Sequence, residues 1–150
     1  MSETTIYHIN LIGHSETYAV RHPVLRQGRP IEDCIFDGDS LENTLHFGLF
    51  DGKNLLAVAS FMDNSHPLFV EENQYQLRGM AVLKDHQGKG LGHKILSHGE
   101  HVLRKKNVSI VWCNAREIAV NFYKKNGYNI EGNPFIIPKI GLHYIMKKTL

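Results

Sequence analysis

Hydrophobic and polar positions alternate along this chain in blocks of two periods. Ile6, Ile9 and Leu11 predict a short first strand. Ser15 with Glu16 marks a helix start, an N-cap acceptor followed by an acid in the first turn. Pro23 has no N–H and so predicts a kink or restart in that helix. Gly28 and Pro30 end the segment. Residues 29–43 follow no period, beyond a short turn of helix expected near Ser40–Asn43. Thr44–Phe50 then alternates Leu45, Phe47 and Leu49 with His46 and Gly48. Asp51-Gly52 supplies the positive φ angles of a tight turn, and Leu55–Met62 returns as a strand apolar on both faces. After a loop over Asp63–Gln74, a fourth strand is predicted at Tyr75–Val82. Gly79 inside it suggests a bulge, or a backbone that something approaches closely.

From Gly90 the period changes. Leu91, Ile95, Leu96, Val102 and Leu103 recur at helical spacing after a polar turn at 83–89. Val108–Cys113 reads as a buried strand. A shorter helix runs from about Ile118 to Lys125, with Gly127 as its stop. Tyr128–Glu131 and His143–Lys147 close the chain as two strands around a loop holding Pro134, Pro138 and Gly141. The order is strand, helix, hairpin, strand, helix, strand, helix and two strands: a mixed α+β sheet flanked by helices.

Composition narrows the function more than the fold. The 150 residues are 42% hydrophobic and 21% charged, and they fit one domain, residues 1–150. With 17 Lys+Arg against 15 Asp+Glu, the net charge is +2. That is too even for a partner bound by phosphate neutralisation, so no nucleic acid is expected. No apolar run reaches the roughly 18 residues of a membrane span, so no membrane partner is expected. Residues 1–10 lack the basic start and apolar run of a secretory signal. Cys34 and Cys113 form no Cys-x-x-Cys pair and read as free thiols in a reducing compartment. The expected location is cytoplasmic, and no metal site is expected. His98 and His101 are three apart but lack a third ligand, and so read as surface or interface residues.

The most informative segment is Gln87-Gly88-Lys89-Gly90-Leu91-Gly92, between a strand and a helix. Glycines let the backbone approach a ligand without a Cβ in the way. The free N–H groups and dipole of the helix start favour negative charge. Together they suit a phosphate or pyrophosphate. A Walker loop fails, because Lys89 sits between glycines and Lys94 follows His93. A dinucleotide fingerprint fails too: the spacing is G-x-G-x-G, and no acid stands at the end of the next strand.

Gln87-x-x-Gly90-x-Gly92, preceded by Met80-Ala81-Val82, resembles the acyl-CoA-binding motif of the GNAT superfamily of N-acetyltransferases. The resemblance continues through Asn114 and Ala119-Val120-Asn121-Phe122-Tyr123-Lys124-Lys125-Asn126-Gly127-Tyr128. Its specific part spans about residues 75–128, and the order of elements matches over nearly the whole chain. It implies the GNAT fold, a mostly antiparallel central sheet with splayed fourth and fifth strands. It also implies transfer of an acetyl group from acetyl-CoA, as co-substrate, to the amine of a small-molecule or peptide acceptor. Backbone N–H groups of Gln87, Gly88, Lys89, Gly90, Leu91 and Gly92 would hold the pyrophosphate. Met80, Ala81 and Val82 would line the pantetheine arm, with the Met80 N–H stabilising the thioester oxyanion. Tyr123 would protonate the leaving thiolate. Asn114 and Asn121 would hydrogen-bond the cofactor. Family members are often dimers, so a homodimer is compatible.

The base is not evident. At pH 7 about one alkylamine in 2,500 is neutral, so the site must supply roughly 4–5 kcal/mol. Many family members carry a Glu on the fourth strand. Here that strand reads Tyr75-Gln76-Leu77-Arg78-Gly79, and Asp63, Glu71 and Glu72 lie in the loop before it. A water relay to backbone carbonyls, or His143, is the substitute. Arg21, Arg26 or Arg29 around Pro23 is either a contact for an acidic part of the acceptor or a solvated face. Two other functions fit the glycine turn: an acyl-CoA-binding module without turnover, and a nucleotide-binding protein.

Overall fold

The computed structural model describes residues 5–150. Seven strands form one sheet: β1 (Tyr7–Leu11), β2 (Leu45–Asp51), β3 (Asn54–Met62), β4 (Gln74–Val82), β5 (Ile110–Arg116), β6 (Asn129–Ile137) and β7 (Gly141–Thr149). Their spatial order is β1-β2-β3-β4-β5-β7-β6. Every pair is antiparallel except β4 with β5. Three helices, α1 (Tyr18–Leu25), α2 (Leu91–Lys105) and α3 (Val120–Lys125), complete the mixed α+β architecture. No helix among the described residues is long and apolar enough to cross a membrane.

The amphipathic face of α2 explains its seat. Leu91, Ile95, Leu96 and Leu103 are buried in one cluster with Phe47, Leu49 and Phe61 of the hairpin. Gly99 lets α2 lie close to the sheet, because a Cβ there would collide with the Phe61 ring. Helix α1 packs elsewhere: Val20 joins Val58 and Ala81 in a second cluster. Pro23 lies inside α1 without restarting it. A 3-10 turn (His14–Thr17) leads into the helix, and α1 ends two residues after Pro23. No helix forms at Ser40–Asn43, where the chain makes successive turns. The closing strands run longer than their apolar residues suggest. A wide bulge absorbs Gly132–Pro134, so that Glu131 pairs with Ile145 and Phe135 with His143.

One buried polar network ties α1 to the sheet. The fully buried Arg21 donates to both Asp39 carboxylate oxygens, at 2.6 and 3.0 Å, and to the Cys34 carbonyl at 2.9 Å. It donates as well to Ser60 Oγ at 2.9 Å. The Ser60 hydroxyl in turn donates to His46 Nδ1 at 2.6 Å, and His46 Nε2–H donates to the Asp39 carbonyl at 2.8 Å. The bond that Nδ1 accepts from Ser60 requires a neutral His46. Burial lowers the His46 pKa accordingly. Burial alone would raise the Asp39 pKa, but the bonds from Arg21 and the Phe36 N–H outweigh it and hold the carboxyl below its ordinary range. Arg21 is therefore neither a solvated residue nor an acceptor contact; it is an internal brace.

Candidate active site

Two features of β4 open the sheet. Val58 pairs with Ala81 and Ser60 with Arg78, so Gly79 and Met80 together oppose Ala59. This is a bulge, with Gly79 at φ +61°. On its other edge β4 pairs with β5 only from Gln74–Ile110 to Gln76–Trp112. Beyond Gln76 the two strands diverge, giving the splay that the resemblance implies.

The backbone direction at the splay follows from alternation. The Leu83 N–H donates to Leu56 of β3 at 2.8 Å, so the Ala81 amide shares that side. Met80 and Val82 present their N–H and C=O groups to the splay. The Gln87 side chain confirms the direction, its Nε2 donating to the Val82 carbonyl at 2.9 Å. Ala81 itself is turned to α1 through its methyl and to β3 through its amide.

The splay leads to the start of α2. Gly88 and Gly90 both have φ +78°, where a side chain is strained, and neither has any atom within 4 Å of an ideal Cβ. Gly90 caps α2 without a side-chain hydrogen bond. The Lys94 N–H bonds the Gly90 carbonyl at 3.1 Å, leaving the N–H groups of Leu91, Gly92 and His93 without a helical partner. These residues, with Val82, Phe122 and Asn126, line a hollow of about 440 Å³. The Leu91 side chain points into the core, so only its backbone can serve a ligand. Lys89 is exposed and directed at His86, its Nζ 3.4 Å from Nδ1.

A second cleft, of about 430 Å³, runs along the splay. Met80, Gln87, Asn114 and Tyr123 line it, together with Arg26, Arg78, Arg116 and His143. Asn121 lines neither hollow; it is exposed on α3. Among the described residues, Arg21 Nε is the one fully buried side-chain nitrogen or oxygen without a partner. The Tyr123 hydroxyl and His143 Nε2 also lack protein partners, so both atoms keep contact with the cleft. Burial pushes the Tyr123 phenol well above its ordinary pKa. The His143 Nδ1–H donates to the Gly141 carbonyl at 2.7 Å, which makes Nε2 the acceptor of the neutral ring. Burial likewise raises the Cys113 thiol, which is no nucleophile here.

Two of the three loop acids are engaged elsewhere, and Glu72 is exposed. Glu71 pairs with Lys147 at 3.0 Å, and Asp63 accepts from Asn43 Nδ2 at 3.0 Å. Arg29 is paired with Asp33 at 2.8 Å. Sequence reasoning missed Arg78 and Arg116 as cleft residues. Their signal was the single charge of β4, beside Gly79, and another at the end of β5.

Among the described residues no group of three or more His, Cys, Asp and Glu side chains is placed to hold a metal.

The family model described as the Acetyltransferase (GNAT) family matches residues 7–128. The uncharacterized N-acetyltransferase YitI of Bacillus subtilis (strain 168) is 40% identical over 142 residues, covering 95% of each chain. The ribosomal-protein-S18-alanine N-acetyltransferase of Escherichia coli shares the fold at TM-score 0.76 and 21% identity, covering 96% of this chain and 94% of that one. The PaiA N-acetyltransferase of Thermoplasma acidophilum, solved with coenzyme A, aligns at TM-score 0.68 and 17% identity, over 97% of this chain and 99% of that one.

Proposed function

The chain belongs to the GNAT acetyltransferase family, and from that premise we propose that it transfers an acetyl group from acetyl-CoA to a primary amine. The observation that carries this reading is the continuous path from the bulge at Gly79–Met80, along the free edge of β4, to the open start of α2. The path suits an elongated cofactor that is amide-rich in its middle and anionic at one end. The N–H groups of the α2 start take the pyrophosphate, and those of Met80 and Val82 take the pantetheine amides and the thioester oxygen. Acetyl-CoA supplies the acetyl group as a thioester already activated for attack by an amine.

The residues then have separate tasks. His143 Nε2 accepts the proton of the attacking amine, directly or through a water, while Gly141 holds the ring by Nδ1. The Met80 N–H donates to the oxygen on which negative charge develops as the new C–N bond forms. The Tyr123 hydroxyl gives its proton to the sulfur as the C–S bond breaks. Its raised pKa keeps the phenol protonated, with its proton on hand for the sulfur as charge develops there. The gained and lost protons balance, and the products are an N-acetyl amide and a free thiol. Free, buried Cys34 and Cys113 fit a reducing compartment, so we place the enzyme in the cytoplasm.

A module that binds acyl-CoA without turnover is the second reading, favoured by the missing acid on β4. Thermal unfolding with acetyl-CoA, CoA, ATP and NAD in parallel tests the cofactor. Ligand at 100 times its Kd adds about 2.7 kcal/mol. Stabilisation by the two CoA species alone is expected; a larger effect of ATP or NAD overturns the assignment. Release of free CoA thiol across an amine panel then separates enzyme from module, since a module releases none.

A further inference from the structure

The cleft carries an excess of positive charge that acetyl transfer itself does not call for. Arg26 follows α1, Arg78 stands in β4 directly before the bulge, and Arg116 ends β5. Three distant segments thus bring three guanidinium groups to one cleft. Main-chain carbonyls orient them: Leu25 accepts from Arg26 at 3.0 Å and from Arg116 at 3.3 Å, and Asp37 accepts from Arg78 at 3.3 Å. The Phe36 ring supports Arg26 and Arg78, 5.1 and 4.7 Å from its centre.

Carbonyls aim these groups without cancelling their charge. Among the described residues the arginine ion pairs are Arg21–Asp39 and Arg29–Asp33, which leave Arg26, Arg78 and Arg116 without a carboxylate in contact. The acids that act on Arg78 are Asp39 and Asp37, which only partly offset the lowering of its pKa by burial, and Asp39 is already committed to Arg21. Burial and the neighbouring cations disfavour the charged form at all three positions. An anion entering the cleft would relieve that tension, while a polycation would increase it. The cofactor phosphates do not need these residues, since the free N–H groups of α2 lie at the other end of the path. Arg78 is two residues from Met80, so the charge sits beside the acyl-transfer point.

Resting on the reading of this cleft as an acetyl-transfer site, we propose that its acceptor is an amine that also bears a carboxylate or phosphate, gripped by Arg26, Arg78 and Arg116. A guanidinium is the suited donor, since its planar fork matches both anions. The cleft therefore selects against polyamines and other acceptors with cationic bodies.

Binding to the protein saturated with CoA tests this with matched pairs: amino acids against their amides, and phosphoethanolamine against ethanolamine. The acid-bearing member of at least one pair binds tenfold or more tightly, and the pair that discriminates identifies carboxylate or phosphate. Arg78→Gln and Arg116→Gln each reduce that preference about tenfold, and Arg→Lys at the same positions restores part of it. Equal or tighter binding of the members that lack the acid group, or no binding by any acid-bearing member, overturns the proposal. So does an equal loss for both members of a pair in the Gln variants. CoA titration of each variant is the separate arm: failure of CoA to bind the parent protein removes the transferase reading and this proposal with it. Normal CoA binding with no preference for the acids removes this proposal alone.

Discussion

Gly79→Ala tests how the buried brace shapes the acyl-transfer point. Gly79 has φ +61°, and an ideal Cβ there would stand 2.8 Å from Arg21 Nε and 3.0 Å from the Phe36 ring. Arg21 cannot swing aside, because Asp39, Ser60 and the Cys34 carbonyl hold its other nitrogens. The left-handed conformation costs an alanine about 1–2 kcal/mol, and overpacking adds about 1–3 kcal/mol. The expected loss is about 2–5 kcal/mol. Gly52→Ala is the matched control: its φ is +58°, and nothing lies within 4 Å of the added methyl. It isolates the backbone strain. Urea unfolding of both variants at 25 °C, with equal m-values, measures the difference as a shift in midpoint. The bulge also aims the Met80 N–H, so Gly79→Ala should lower kcat as well, by up to the 10²–10³-fold of a lost oxyanion donor. If Gly79→Ala destabilises no more than Gly52→Ala, Arg21 yields to the methyl and the account of a pinned brace is wrong.

Four further outcomes are expected. Asp39→Ala leaves Arg21 buried and unpaired and should cost about 3–5 kcal/mol in chemical denaturation, whereas a loss below 1 kcal/mol would deny the pair its structural role. His46 has a folded pKa below its unfolded one, so the unfolded chain binds more protons between the two values. Its contribution to stability is complete above about pH 6.5 and is lost as pH falls through the folded pKa; His46→Gln should flatten that limb of a stability–pH curve, and an unchanged slope would contradict the neutral-ring network. Tyr123→Phe should lower kcat by about 10²-fold or more at nearly constant acetyl-CoA affinity; an unchanged single-turnover rate would remove Tyr123 as the acid. Gly90→Glu finds open space for its side chain and should fold, yet weaken acetyl-CoA at least tenfold through bulk and like charge. Normal cofactor binding by the folded variant would move the pyrophosphate site elsewhere.

Local patterns carried much of the fold. The Leu45–Met62 hairpin, the α2 face and the glycine turn each follow from neighbours in sequence, so alternation, helical period and turn chemistry were enough to read them. The element order was legible for the same reason. Boundaries were not: β5 runs to Arg116 rather than Cys113, because its pairing with β7 continues to His143. Likewise β6 passes through Pro134, which the wide bulge opposite Tyr144 accommodates. Pro23 lies within α1, which ends two residues later.

What the sequence determined by itself was the mixed architecture, the phosphate-suited turn before α2 and the family resemblance, since each depends on residues close together in the chain. Only the tertiary structure decided what the arginines do. Arg21 and Arg26 are five residues apart in one basic segment, yet one is sealed against Asp39 and the other opens on the cleft. Arg78 and Arg116 join Arg26 from two strands, β4 and β5. The fate of a charge depends on the counter-charges and solvent that long-range packing brings to it, and neither is written in its local sequence.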